Sequence, residues 1–197
     1  MPASFDLTQL IALAAALGFA SGIRLYAVVL AVGLAGALGW VELPGGLGVL
    51  AQPWVIGLTG IFVALEFFAD KIPGIDTVWD SLSTFIRIPG GALLAASVFG
   101  FDQTTAAAIA AVLGGSLAAT GHFAKASARA AINTSPEPIS NVAASTAEDA
   151  GILGLVWLAF AHPVTAIATV ALMAAASAWL IFKFIRLVRR LLTLRSP

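Results

Sequence analysis

The chain has 197 residues, of which 60% are hydrophobic and only 10% are charged, and its mean hydropathy is +1.00. Soluble domains carry about 25% charged residues, so this composition excludes that class and indicates an integral membrane protein. Ten Lys and Arg residues balance ten Asp and Glu residues. A net charge of zero argues against a nucleic-acid partner, and the absence of cysteine excludes disulfides and thiolate metal sites.

The apolar runs predict an all-α, polytopic transmembrane bundle of about seven membrane elements, forming one domain over residues 1–197. The elements are placed at 7–20, 23–41, 53–71, 77–101, 104–131, 145–161 and 164–190. The first is short and the fourth is interrupted at Pro89-Gly90-Gly91, so either is a candidate for a re-entrant segment or a half-helix. Residues 183–197 form a basic amphipathic tail that suits anionic headgroups.

If every element crosses the membrane, all ten Lys and Arg residues fall on one side, which the positive-inside rule makes cytoplasmic. We therefore predict a multi-pass protein of the bacterial inner membrane with its N-terminus outside and its C-terminus in the cytoplasm. Arg24 stands alone at the break after element one and is interpreted as a topology anchor. In the alternative, elements one and two form a re-entrant hairpin and Arg24 points at a buried cavity.

Small residues recur every four positions on elements two and five, at Ala27, Ala31, Ala35 and Gly39, and at Ala107, Ala111, Gly115 and Ala119. Such stripes let helix backbones approach closely in lipid. They indicate tight packing within one bundle or, alternatively, the interface of a homo-oligomer. Two helix–polar segment–helix units, with polar segments at 66–87 and 122–149, also suggest a degenerate internal repeat of the kind that transporters contain.

Ionisable residues gather on two helical faces near the predicted inner surface. Glu66 and Asp70 share one face of element three, while His122, Lys125 and Arg129 share a face of element five. Ionisable groups at membrane depth are costly and usually face the bundle interior, so the acidic and basic faces are expected partners. The alternatives are a structural ion-pair cluster or interfacial charges that reach the headgroups.

Further polar residues flank these faces. Asp76 suits an N-cap, and Ser145 with Glu148 matches a capping box. Helix capping does not account for Asp80 or Asp149. Arg87 is placed to hold a carboxylate or an anion. The predicted ion- or substrate-binding set is Glu66, Asp70, Lys71, Asp76, Asp80, Arg87, His122, Lys125, Arg129, Asn141, Glu148 and Asp149.

The run Glu66-x-x-x-Asp70-Lys71-x-Pro73-x-x-Asp76 is the most specific of several motifs, which include Thr84 to Arg87, His122 to Arg129 and Glu148-Asp149. Together these motifs resemble the bacterial membrane proteins of the family called domain of unknown function 4126, over nearly the whole chain. The resemblance implies a polytopic membrane protein whose polar motif residues act together. No substrate follows from it.

Three functions fit these features. The first is a transporter or channel for a small ion or charged solute, in which Glu66 and Asp70 bind a cation or relay protons. The second is a Mg²⁺-dependent enzyme, or a flippase, acting on lipid or polyprenyl phosphates, with Asp70, Asp76 and Asp80 as metal ligands and no other cofactor. The third is a non-catalytic membrane scaffold. We favour transport because the opposing charges lie beside predicted helix interruptions.

Overall fold

The computed structural model describes residues 5–72, 74–100, 102–133 and 138–193, and the regular structure within them is entirely helical. The helices are α1 (Leu7–Ala37), a short 3-10 segment (Gly45–Ala51), α2 (Pro53–Ala69), α3 (Ile75–Ser97), α4 (Thr104–Ile132), α5 (Pro138–Ala161) and α6 (Pro163–Thr193). This confirms the predicted all-α bundle. Arg195 and the end of the predicted tail lie outside the described residues.

Several helices meet the requirements for crossing a membrane. By length and apolar composition alone, four helices in the described part of the chain qualify: Leu7–Ala37, Thr104–Ile132, Ile139–Ala161 and Pro163–Arg190. The first of these is not straight, because its backbone leaves the helical region at Arg24. A fifth span arises if the 3-10 segment and α2, which meet at an angle of 73°, are taken together. Large apolar side chains such as Leu82, Phe85 and Val112 are exposed on the bundle surface, as lipid contact requires. The chain is a membrane protein.

Helix α1 reverses direction at Arg24, whose backbone leaves the helical region at φ −146° and ψ 70°. A straight helix of this length would extend about 46 Å and hold its two ends far apart. Instead, Phe5 and Leu10 line one cavity of about 550 Å³ together with Leu43, which follows the far end of α1. The arms 7–23 and 25–37 therefore run in opposite directions, and the reversal lies two residues after the predicted break.

Glycines bring α1, α3 and α4 into close contact. A Cβ atom on Gly22 would lie 1.9 Å from the carbonyl oxygen of Ala118, and one on Gly114 would lie 2.3 Å from Cβ of Ala95. Backbones approach this closely only where side chains are minimal. The fully buried face of α4 carries Gly114 and Ala118, whereas the predicted stripe through Gly115 is half-exposed. An oligomer interface on that stripe remains a prediction.

The structure corrects two local predictions. The predicted helix interruption at Pro89-Gly90-Gly91 is wrong, because α3 continues through these three residues. Membrane helices tolerate proline, and the two glycines serve instead to admit Leu25 and Ala118 at close range. The predicted capping box at Ser145 is also wrong, because α5 begins at Pro138 and Ser145 lies in the interior of that helix.

Candidate functional site

Charged side chains from five helical segments meet at one end of the bundle, which we call the charged end. These segments are the bend of α1, the end of α2, the first half of α3, the second half of α4 and the first half of α5. We call the side chains linked there the ionic network: Arg24, Glu66, Asp70, Asp80, Arg87, Lys125, Arg129, Glu148 and Asp149. The opposite end carries Glu42 and Asp102 beside the 550 Å³ cavity.

Asp70 lies at the centre of the network, directly after the last residue of α2. Its Oδ2 atom is 3.0 Å from Nη2 of Arg24 and 2.9 Å from Nζ of Lys125, and it lies 4.0 Å from Arg129. Burial alone would raise the pKa of this carboxyl, but the positive charges of Lys125 and Arg24 outweigh burial and lower it. Asp70 is therefore held as a carboxylate, and it ties α2 to α1 and α4.

Arg87 joins the two acidic residues on α2 and α3. Its Nη1 atom donates to Oδ1 of Asp80 at 2.6 Å, and its Nη2 atom donates to Oε1 of Glu66. Arg87 and Glu66 are both completely buried. Lys125 lies 3.4 Å from Oδ1 of Asp80 and so connects this group to Asp70. The second oxygens of Glu66 and Asp80 are buried and have no hydrogen-bond partner among the described residues.

Helix α5 completes the network from the other side. Nη2 of Arg129 is 3.1 Å from Glu148, and its Nη1 donates to Oδ1 of Asn141 at 3.0 Å. Nε of Arg24 is 3.1 Å from Asp149, and its Nη2 donates to Oγ of Ser145 at 2.7 Å. The two contacts of Arg24 join residues more than a hundred positions apart, because Arg24 lies at the reversal of α1.

Sequence reasoning missed Arg24 and Ser145 as members of the site. Arg24 is only 2% exposed, so its interpretation as a surface anchor is wrong. It lies in the interior at the reversal of α1, where it contacts Asp70 and Asp149. The re-entrant hairpin that points Arg24 at a buried cavity stays a prediction. The isolation of Arg24 between two apolar runs was the available signal, since a lone buried charge requires partners. Ser145 carried no comparable signal.

Two predicted site residues lie apart from the network. Oδ1 of Asp76 accepts from the backbone N–H groups of Gly74 and Thr77 at 2.8 and 2.7 Å, and Asn133 donates to Oδ2 at 3.0 Å. Asp76 thus stabilises the start of α3, although the cap residue itself is Gly74. Lys71 lies at the surface with Nζ 3.1 Å from the centre of the Phe67 ring.

His122 borders a cavity beside the network. Its Nε2 atom is 2.7 Å from Oγ1 of Thr84. A groove of about 200 Å³ lies between α3 and α4 and is lined by Thr77, Asp80, Ser81, Thr84, His122, Phe123, Ala126 and Arg129. His122 and Asp80 therefore connect the groove to the buried charges.

The carboxylates do not form a metal site in the described ranges. No three His, Asp or Glu side chains there are close enough to hold a metal ion. Asp70, Asp76 and Asp80 each accept from their own donors, namely Lys125, Asn133 and Arg87. The arrangement is one of alternating ion pairs rather than the cage of oxygens that Mg²⁺ requires.

A sequence model of a protein family matches most of the chain. The model of a family described as domain of unknown function 4126 matches residues 11–183, which include every member of the ionic network. No curated protein and no solved structure matches the chain.

Proposed function

For a chain that belongs to the family of domain of unknown function 4126, we propose that it is a membrane transporter or channel for a small ion or charged solute. The ionic network is the site at which the cargo or coupling ion acts. The observation that carries this proposal is the burial of Arg24, Glu66 and Arg87 inside an apolar bundle. Each ionisable group at membrane depth costs about 2.5–3.5 kcal/mol even on the mild insertion scale.

Structural need alone accounts poorly for such a network. Buried ion pairs seldom stabilise a fold more than apolar residues of similar volume would, because desolvation offsets their attraction. Small residues already hold α1, α3 and α4 together through contacts such as that of Gly22 with Ala118. The network therefore costs stability that the packing does not require, and ion or solute movement provides a reason for keeping it.

The position of the network at a helix break supports the same proposal. Backbone groups freed at a break in a membrane helix must be satisfied by protein or by water, and transporters use such breaks to bind ions. Here Nζ of Lys125 lies 3.4 Å from the carbonyl oxygen of Ile23, the last residue before the break. A change in the charge of the network would thus act directly on the bend of α1.

We further propose an inner-membrane location with the charged end in the cytoplasm. The described basic residues lie at this end, while Glu42 and Asp102 lie at the other. Cytoplasmic loops carry an excess of Lys and Arg, so the distribution supports an outside N-terminus and a cytoplasmic C-terminus.

Flux through liposomes containing the purified protein tests the proposal. We expect flux of protons, Na⁺, K⁺ or Cl⁻ above that of empty liposomes, and its loss in Glu66→Gln. Asp102→Asn is the matched control, because it removes a carboxylate at the opposite end and should leave flux unchanged. If liposomes that contain the wild-type protein pass none of these ions, the transport proposal is refuted. Normal flux in Glu66→Gln would remove Glu66 from the mechanism.

A further inference from the structure

We propose that the coupling ion is a proton, which enters through the groove between α3 and α4 and is taken up by the pair of carboxyl groups that share Arg87. These are Glu66 and Asp80. The role of the proton as a coupling ion rests on the proposed transport function. Its entry path and its binding can each be measured without a flux assay.

The groove is a polar path in a surface that is otherwise apolar. Thr77, Ser81 and Thr84 lie at helical spacing along one face of α3 and line the groove from the start of the helix inward. Their immediate neighbours Leu82 and Phe85 are 65% and 81% exposed and do not line it. A cavity holds water when it is roomy and offers several polar partners, and both conditions are met here.

The groove reaches the ionic network at Asp80 and Arg129, and His122 borders it beside them. Thr84 contacts Nε2 of His122 at 2.7 Å, and Asp80 lines the groove while its Oδ1 atom accepts from Arg87 at 2.6 Å. The other oxygen of Asp80 is buried and accepts no hydrogen bond from the described residues. It is a buried acceptor without a donor, on a residue that lines a cavity of about 200 Å³, which is the chemistry of a proton-binding position.

The charge of the network favours uptake of one proton. Around Arg87, two carboxylates face one guanidinium, so this pair carries one negative charge in excess. Among the described residues, Arg87 is the one ion-pair partner of Glu66, and Arg87 also pairs with Asp80. A proton on the free oxygen of one carboxyl group leaves the other as the carboxylate that pairs with Arg87, so one proton balances the pair against its one guanidinium.

A proton fits this site better than a metal cation does. No three acidic or histidine side chains in the described ranges converge on a common point. A metal ion would have to displace Arg87 or Lys125 to gain oxygen ligands, whereas a proton binds a single free carboxyl oxygen. The geometry thus selects the smallest cation.

Several charged groups face the pair and would respond to its protonation. Arg87 lies on α3 with Asp80, and Glu66 lies on α2. From α4 the neighbours are Lys125, His122 and Arg129, and from α1 they are Arg24 and Tyr26, which interact electrostatically with Glu66. A proton on Asp80 would weaken the 3.4 Å contact with Lys125, which links α3 to α4. Lys125 would then pair with Asp70 and Glu148 alone, so uptake of the proton loosens the contact between these two helices.

Cysteine labelling tests the path directly, because the native chain contains no cysteine. Two pairs of adjacent residues at matched depth compare the groove with the lipid face: Ser81→Cys with Leu82→Cys, and Thr84→Cys with Phe85→Cys. A thiol reacts as its thiolate, which requires water, so a charged thiol reagent should label each groove position at least about tenfold faster than its neighbour. Equal labelling within both pairs would overturn the path.

Infrared spectroscopy tests the uptake. As the pH of membrane-reconstituted protein is lowered, we expect the C=O stretch of a buried protonated carboxyl group to appear. Glu66→Gln and Asp80→Asn should each abolish this band, because either removes the excess charge, while Asp102→Asn should retain it. A band that survives in both Glu66→Gln and Asp80→Asn overturns the assignment. Should these variants fail to fold, the labelling of Ser81→Cys still decides the path, and loss of flux alone bears only on the transport proposal.

Discussion

Replacing Arg87 should be among the most damaging single changes in this protein. Arg87 is completely buried and pairs with Glu66 and Asp80. In Arg87→Gln, Glu66 has no cation within ion-pair distance among the described residues, and Asp80 keeps only the 3.4 Å contact with Lys125. The pair of carboxylates would then carry two negative charges without their shared cation.

The expected loss follows from the cost of leaving a buried charge unpaired, which is about 3–5 kcal/mol. For a chain of this size each kcal/mol lowers the melting temperature by about 2–4 °C, so the loss corresponds to about 6–20 °C. Thermal unfolding of the detergent-solubilised protein, followed by helical circular dichroism, measures it. Arg186→Gln is the control, since Arg186 lies on the outer part of α6, beyond the network, and should shift the melting temperature by about 1 °C or less.

A second substitution separates charge from packing. If the unpaired carboxylate causes the loss, Glu66→Gln added to Arg87→Gln should recover about 1–3 kcal/mol, the coupling typical of residues in direct contact. The reasoning would be refuted by an Arg87→Gln protein that melts within about 2 °C of the wild type. It would equally be refuted by a double variant in which the two losses simply add.

Three further predictions test other parts of the structure. The pKa of Asp70 is lowered on folding, so the ionised carboxylate stabilises the folded protein at every pH above the unfolded pKa of about 3.9. This stabilisation is lost as the pH falls through the lower pKa of the folded state. Melting temperatures measured at acid pH should show the loss in the wild type and not in Asp70→Asn. Gly22→Ala forces a contact with a carbonyl of α4 and should cost about 1–3 kcal/mol in thermal unfolding, whereas Gly60→Ala, with open space around it, should cost nothing. In intact cells an impermeant thiol reagent should label Gly48→Cys but reach Lys71→Cys only after permeabilisation; the reverse pattern contradicts the orientation.

Much of the candidate site could be predicted from local spacing. Glu66 and Asp70 were expected to meet the basic face of His122, Lys125 and Arg129, and the structure brings Asp70 against Lys125 at 2.9 Å. This succeeded because residues four apart on a helix share a face, and because charges at membrane depth turn toward the bundle interior.

The remaining part depended on contacts between distant segments. Arg24 joins the network only because α1 reverses at that residue. Ser145 receives its hydrogen bond only because α5 begins at Pro138, about two turns before the predicted cap. Pro89 reads as a helix breaker, yet α3 passes through it since its neighbouring glycines fit against α1 and α4. Local propensity does not contain these packing partners.

The sequence by itself determined that this is a membrane protein of α-helices with its charges gathered at one end. Hydropathy is a property summed over about 20 consecutive residues, so it can be read without knowing which helices touch. Only the tertiary structure decided which carboxylate faces which cation, that Glu66 and Asp80 share Arg87, and that a polar groove reaches Asp80. Ion pairs depend on distances of a few ångström between segments far apart in the chain, and those distances exist only once the bundle has packed.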